Sequence, residues 1–288
     1  MEPAVALGYL EHLTAADLRV LGEVAGVPPE ALRARPARLL DLLAAPTTEA
    51  AVLGPAVDEE PFLRASSFLT FAVAVHRSAA RLEGRTSTLE WVGPHQRLPV
   101  FDVASLRDFL ADPLRRLFLV ELLASFTSVT SGSTWERTRR GWRRRRFSEL
   151  DPVRLASLLE VVGEAERPGV YRRLGDLALF LTGVFPDHTA ERGLGPLDAT
   201  RLLRAPAGAG DGTPEPPADA ERLGAVGLLE HLGARWYRCA TATTAGPPTA
   251  TARVLPAAGE RFRQARRVLN VVTESAIFPL DPPAFGLT

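Results

Sequence analysis

The stretch Tyr171-Arg172-Arg173-Leu174-Gly175-Asp176-Leu177-Ala178-Leu179-Phe180-Leu181-Thr182-Gly183-Val184 reads as the interior of one long buried helix. Pro168 sets its start, because a first helical turn has no use for the missing N–H, and Phe185-Pro186 ends it. The charge-free run Leu177 to Pro186 is well short of the ~18 residues that a membrane span requires. An apolar helix of that length belongs in a protein core, and a chain with several of them packs as a helical bundle. Asp176 interrupts the run. Arg172 and Arg173 stand four and three residues before it, on the same helix face, so a local ion pair is expected.

Helical spacing continues outward in both directions. Asp151-Pro152 is an N-cap followed by an N1 proline, and it opens a helix expected over Val153 to Ala165 with Leu155, Leu158, Leu159 and Val162 inward. Val103 to Phe126 is helical with an interruption at Asp112-Pro113, and Leu114 to Leu123 is apolar on most sides, which places it centrally in the core. Asp58-Glu59-Glu60-Pro61 supplies dipole partners ahead of a long apolar helix, Phe62 to about Glu83. Thr88 to Phe101 changes pattern and reads as a short hairpin around Gly93-Pro94-His95-Gln96, with Pro99 confining its second strand to an edge. Toward the C-terminus, residues 205–219 hold four prolines, three glycines and no large apolar side chain, and read as a flexible loop. Helices are expected over Ala220 to Cys239 and Ala258 to Phe278, separated by a Thr/Ala/Pro-rich loop, Thr241 to Pro256, and packing back onto the central helices.

At the N-terminus, Thr14 with Asp17 forms a capping box, Leu18, Leu21 and Ala25 follow at helical spacing, and Gly26, Pro28 and Pro29 stop the helix. Further helices from Pro29 and Pro36 complete a small unit ending near Pro46. In outline it is similar to the helix-extended-helix modules of SAP and Rho-N type, which touch nucleic acids. Those modules usually carry basic residues near the second helix, and Arg33, Arg35 and Arg38 are the ones available here. The expected fold is mainly α: a small N-terminal helical subdomain (1–46) and a multi-helix, bundle-like main domain (58–288) with one or two short β-hairpins.

The chain has 288 residues and balances 34 basic against 34 acidic side chains. Every basic residue is arginine, Asn270 is the only asparagine, and Gln96 and Gln264 are the only glutamines, the codon bias of a GC-rich bacterial genome. With no lysine, a P-loop lysine, a Schiff-base lysine and a Ser-x-x-Lys nucleophile are all excluded. Net charge is zero, so any polyanion site must be local. Cys239 is the only cysteine, which excludes an internal disulfide and a multi-cysteine zinc site. With neither a basic n-region at Met1 to Gly8 nor a long enough apolar run, the chain reads as cytoplasmic and not bound to membrane.

Trp135 to Phe147 is the most distinctive segment: Trp-Glu-Arg-Thr-Arg-Arg-Gly-Trp-Arg-Arg-Arg-Arg-Phe. Arg137, Arg139, Arg140, Arg143, Arg144, Arg145 and Arg146 stand among Trp135, Trp142 and Phe147, with Glu136 the only acid. Guanidinium forks bind phosphate oxygens bidentately, and aromatic faces stack bases. Two short strands are expected around a tight turn at Gly141. The candidate binding residues are Arg137, Arg139, Arg140, Trp142 and Arg143 to Arg146, and the expected partner is RNA or single-stranded DNA. The alternatives are an acidic partner protein, or arginines paired inward with carboxylates.

The histidines (12, 76, 95, 188 and 231) are dispersed, Asp187-His188 reads as a helix-end pair, and neither a metal nor a cofactor is expected. No nucleophile elbow occurs, Cys239 reads as a packing residue, and Gly208 to Gly212 lacks the preceding strand that a phosphate-binding turn needs. Asp176, Asn270 and Glu274 are polar insertions in apolar helices that would form a cluster if the two helices lined one cavity. The leading expectation is a non-enzymatic protein that binds nucleic acid or another polyanion through the arginine-rich arm. The alternatives are a scaffold for an acidic partner, or an enzyme with a pocket in the helical core.

Overall fold

The structure, a computed structural model, describes residues 2–54, 65–128, 131–138, 141–148, 150–204, 223–242 and 251–278, without the side chains of 2, 3, 131–138 and 141–148. Its elements in chain order begin with five short helices: α1 (Glu2–His12), α2 (Ala15–Ala25), α3 (Pro29–Ala34), α4 (Ala37–Ala44) and α5 (Pro46–Leu53). The longer α6 (Ser67–Leu82) leads to β1 (Thr88–Gly93) and β2 (Gln96–Val100), then α7 (Val103–Ala111) and α8 (Pro113–Ser125). A second hairpin, β3 (Ser131–Thr138) and β4 (Gly141–Ser148), precedes α9 (Pro152–Ala156), α10 (Arg167–Val184), α11 (Pro186–Arg192) and α12 (Pro196–Arg204). The last helices are α13 (Gly224–Ala242), α14 (Leu255–Glu260) and α15 (Phe262–Val272), the last continuing as a π turn over Thr273–Ile277. The fold is mainly α, and each hairpin is a separate two-stranded sheet.

Proline and capping signals account for most boundaries. Thr14 and Asp17 form the expected capping box, and Gly26 ends α2 at φ 65°, in the left-handed region that glycine enters without strain. Asp151 caps α9 by accepting from the Val153 and Arg154 amides. Two prolines also open helices that were not expected. Pro46, near the expected end of the N-terminal unit, starts α5, and Pro186, which closes α10 as expected, opens α11, because proline at N1 is pre-set for a helix. The helix expected over 153–165 is shorter: α9 tightens into a 3-10 turn at Ser157–Glu160, and Leu158 and Val161 are exposed. The helix expected over 258–278 is broken at Arg261 into α14 and α15. Residues 58–61, the loop 205–219 and the Gly208 to Gly212 run within it lie outside the described residues.

The chain divides into two compact units. The first comprises Met1–Glu90, Leu98–Val120 and Arg267–Thr288. Its core is built from Tyr9, Leu18, Leu21, Leu39, Leu43, Leu69, Val73, Leu106, Phe109 and Leu269, all fully buried or nearly so. Asp17, fully buried, works twice: besides closing the α2 capping box it accepts from the amide and hydroxyl of Ser66, the N-cap of α6. Arg267, 6% exposed, sits 3.4 Å from the Glu90 carboxylate and donates to Asp102 Oδ2 at 2.9 Å, which ties α15 to β1 and to the start of α7.

The second unit comprises Trp91–Arg97 and Glu121–Arg266. Its most extensive helix pairing is α10 with α13, and two glycines permit it. A Cβ on Gly175 would lie 2.5 Å from the Tyr237 ring, and one on Gly233 would lie 2.3 Å from Phe262 and 2.9 Å from the Ala178 methyl. Phe126 stacks on Phe180 at 4.3 Å between centroids, and Arg173 lies over the Phe126 ring at 3.9 Å. At the first hairpin's tip, Asp187 of α11 accepts from the Trp91 indole, the His95 amide and the Arg97 guanidinium.

Gly175→Ala should therefore destabilise the protein by about 1–3 kcal/mol through overpacking, against the helix propensity that favours alanine. Gly169, in the same helix, has open space where its Cβ would be. Gly169→Ala should be neutral or stabilising by up to about 1 kcal/mol. Urea unfolding of the two variants checks both, and equal effects would overturn the close-approach account.

Candidate functional site

The arginine-rich segment forms the β3–β4 hairpin. Its register pairs Ser131 with Ser148, Ser133 with Arg146, Thr134 with Arg145, Trp135 with Arg144, Glu136 with Arg143, Arg137 with Trp142 and Thr138 with Gly141. Gly141 was expected in the turn, but it is the first residue of β4, and the strands are joined through 139–140. Arg137, Trp142 and Arg143 to Arg146 are thus on the strands, whereas Arg139 and Arg140 lie outside the described residues.

Successive strand residues belong to opposite faces, and residues directly across an antiparallel pair share a face. One face of the ribbon holds the rungs Ser133/Arg146, Trp135/Arg144 and Arg137/Trp142. The other holds Gly132/Phe147, Thr134/Arg145, Glu136/Arg143 and Thr138/Gly141. Both tryptophans and three arginines are therefore on one face, without an acid, and Glu136 is on the other. Among the described rungs none sets arginine directly opposite arginine, the arrangement in which like charges cost most. β4 lies beside α9.

Asp176 is buried in the second unit. Tyr237 Oη donates to its Oδ1 at 2.9 Å, and Arg172 Nε is 3.8 Å from Oδ2, so the expected i,i+4 pair is present with a second partner from α13. Arg173, the other expected partner, donates to Ser125 Oγ. Burial pushes the Asp176 carboxyl up to about 6, against the opposing pull of Arg172 and the Tyr237 hydroxyl. Burial, with the neighbouring carboxylate, holds the Tyr237 phenol well above its ordinary value. Asn270 and Glu274 belong to the first unit, so they complete no cluster with Asp176 within either unit.

In the first unit, His76 is buried with its Nε2 2.9 Å from Tyr9 Oη and Nδ1 3.5 Å from Arg116. Arginine can only donate, so Nδ1 accepts and Nε2–H donates to the tyrosine oxygen. Burial, reinforced by the Arg116 charge, lowers the His76 pKa to about 3, and the ring is neutral at physiological pH. Reading the sequence for dispersed ligands missed this pair. Its signal was the position of His76 directly after the apolar run Ala72 to Val75.

Asp187, read as a helix-end residue, is the hairpin clasp. Burial would raise its pKa, but hydrogen bonds from Arg97, the His95 amide and Trp91 outweigh that and lower it to about 2. Cys239 is buried on α13. Arg33, Arg35 and Arg38 are exposed on the first unit. Among the described residues, no three His, Cys, Asp or Glu side chains converge as a metal site. No described helix is long and apolar enough to cross a membrane.

A pH test follows for the buried carboxyl. Asp176 binds its proton more tightly folded than unfolded, so its contribution to stability is present below pH 3.8 and is lost as pH rises through about 6. The stability of wild type minus that of Asp176→Asn should fall between pH 4 and 7, as read by denaturant titration. A pH-independent difference would overturn the assignment.

No protein-family model matches the chain, and neither a curated protein nor a solved structure is significantly similar to it.

Proposed function

We propose that the protein binds nucleic acid, as a polyanion, through the β3–β4 arm. The observation that carries this reading is the concentration of cations on one two-stranded ribbon. Residues 131–148 hold seven arginines and one acid, a local net charge of +6 in a chain whose total is zero. The rest of the chain is thus net −6 and gives no long-range attraction to phosphate. Binding in this reading is confined to the arm, where arginine forks match phosphate geometry. Among the described residues no third strand extends the ribbon, and a two-stranded ribbon is narrow enough to enter a groove or lie along a single strand.

Each phosphate contact releases condensed counterions, so affinity should fall steeply with salt. Replacing Arg143, Arg144, Arg145 and Arg146 together with alanine should weaken binding to RNA and DNA irrespective of sequence. If all four contact phosphates of a single strand, the slope of log K against log salt should flatten by about 3. Fluorescence anisotropy across a salt series measures both, with circular dichroism checking that the fold persists. A folded wild type with no affinity for RNA or DNA at low salt would overturn the proposal and favour an acidic protein as the partner of the arm.

A further inference from the structure

We infer that the ligand of the arm is single-stranded nucleic acid, recognised by the face of the ribbon that holds Trp135, Arg137, Trp142, Arg144 and Arg146. This rests on the reading of the arm as a nucleic-acid binder, and it adds which face acts and which nucleic acid it takes. Trp135 and Trp142 occupy consecutive rungs of the same face, on opposite strands, each directly across from an arginine. They are diagonal neighbours, offset both along and across the strands, at roughly 7–8 Å. Two aromatic residues that near each other on one face offer a stacking platform to bases; in a duplex the bases are already stacked and paired, whereas in a single strand they are free to use it.

The charges support the same occupant. Arg144 and Arg146 alternate along β4 on this face, Arg137 completes it on β3, and no acid is present there. Stacking residues interleaved with cations fit a ligand whose bases and phosphates alternate, and phosphate alone would not call for the indoles. The opposite face holds two arginines against three, Arg143 and Arg145, with Glu136 directly across from Arg143 and no tryptophan. Removing Arg144 with Arg146, or Arg143 with Arg145, therefore takes two charges from one face or from the other within one ribbon.

The test uses the full chain and fluorescent oligouridylate, oligothymidylate and a blunt DNA duplex of equal length. Arg144→Ala/Arg146→Ala should weaken single-strand binding several-fold more than Arg143→Ala/Arg145→Ala, although both remove two charges. Trp135→Ala and Trp142→Ala should each weaken it by about fivefold to a hundredfold while changing duplex binding little. Trp135→Phe and Trp142→Phe should retain most of the affinity, which separates loss of stacking from loss of the hairpin. The uridylate and thymidylate arms show whether the ribose or the deoxyribose strand is preferred. Equal losses from the two double variants, unchanged single-strand affinity in the tryptophan-to-alanine variants, or tighter binding of duplex would each overturn this inference while leaving the arm a polyanion binder. A wild type that binds none of the three probes at low salt would overturn both readings.

Discussion

The close approach of α10 to α13 is the constraint on which the core of the second unit depends. Helix axes come near enough for extensive contact only where side chains are small, and here Gly175 of α10 receives the ring of Tyr237 from α13, while Gly233 of α13 makes room for the Ala178 methyl of α10 and for the Phe262 ring of α15. Seating Tyr237 against Gly175 brings its hydroxyl to the next residue, Asp176, at 2.9 Å. The packing and the buried hydrogen bond are thus one arrangement. An unpaired carboxyl at that depth would cost several kcal/mol, so the tyrosine that fills the notch also satisfies the acid.

A similar economy organises the first unit, where Asp17 completes the capping of α2 and supports the N-cap of α6. Arg267 is the harder case. Two carboxylates, from Glu90 and Asp102, surround a guanidinium that is nearly inaccessible to water. Removing Arg267 would leave the buried Glu90 carboxylate without this cation, so the group does more to specify how α15, β1 and α7 meet than to add net stability.

How much of this was legible in the sequence depended on the range of each interaction. The limits of α10, the interruption at Asp112-Pro113, the capping box at Thr14 and the i,i+4 partner of Asp176 are local, and their residues announce them. Tyr237, sixty-one residues from Asp176, is not local, and neither periodicity nor composition points to it. Prolines misled where one residue closes one helix and opens the next, as at Pro186. The candidate interface divides in the same way. Its residues and its hairpin were readable from composition, but its two faces were not, because Trp-Arg-Arg-Arg-Arg has no two-residue alternation of its own and acquires one only from the partner strand.

Register is therefore where the arm's chemistry is decided. A lone two-stranded hairpin is marginally stable in water, and concentrating arginine on it makes that worse unless the cations avoid one another. The observed pairing places serine, threonine, tryptophan or glutamate opposite every described arginine of β4, and tryptophan opposite Arg137. A slip of one residue that brought Arg143 opposite Arg137 would create a like-charge rung and exchange the faces of β4 relative to β3, separating Trp142 from the face of Trp135. The opposite slip would make no like-charge rung but would take Glu136 from across Arg143, and it too would separate the tryptophans. The pairing that sets Glu136 opposite Arg143 and no described arginine opposite another is thus also the one that places Trp135 and Trp142 on one acid-free face.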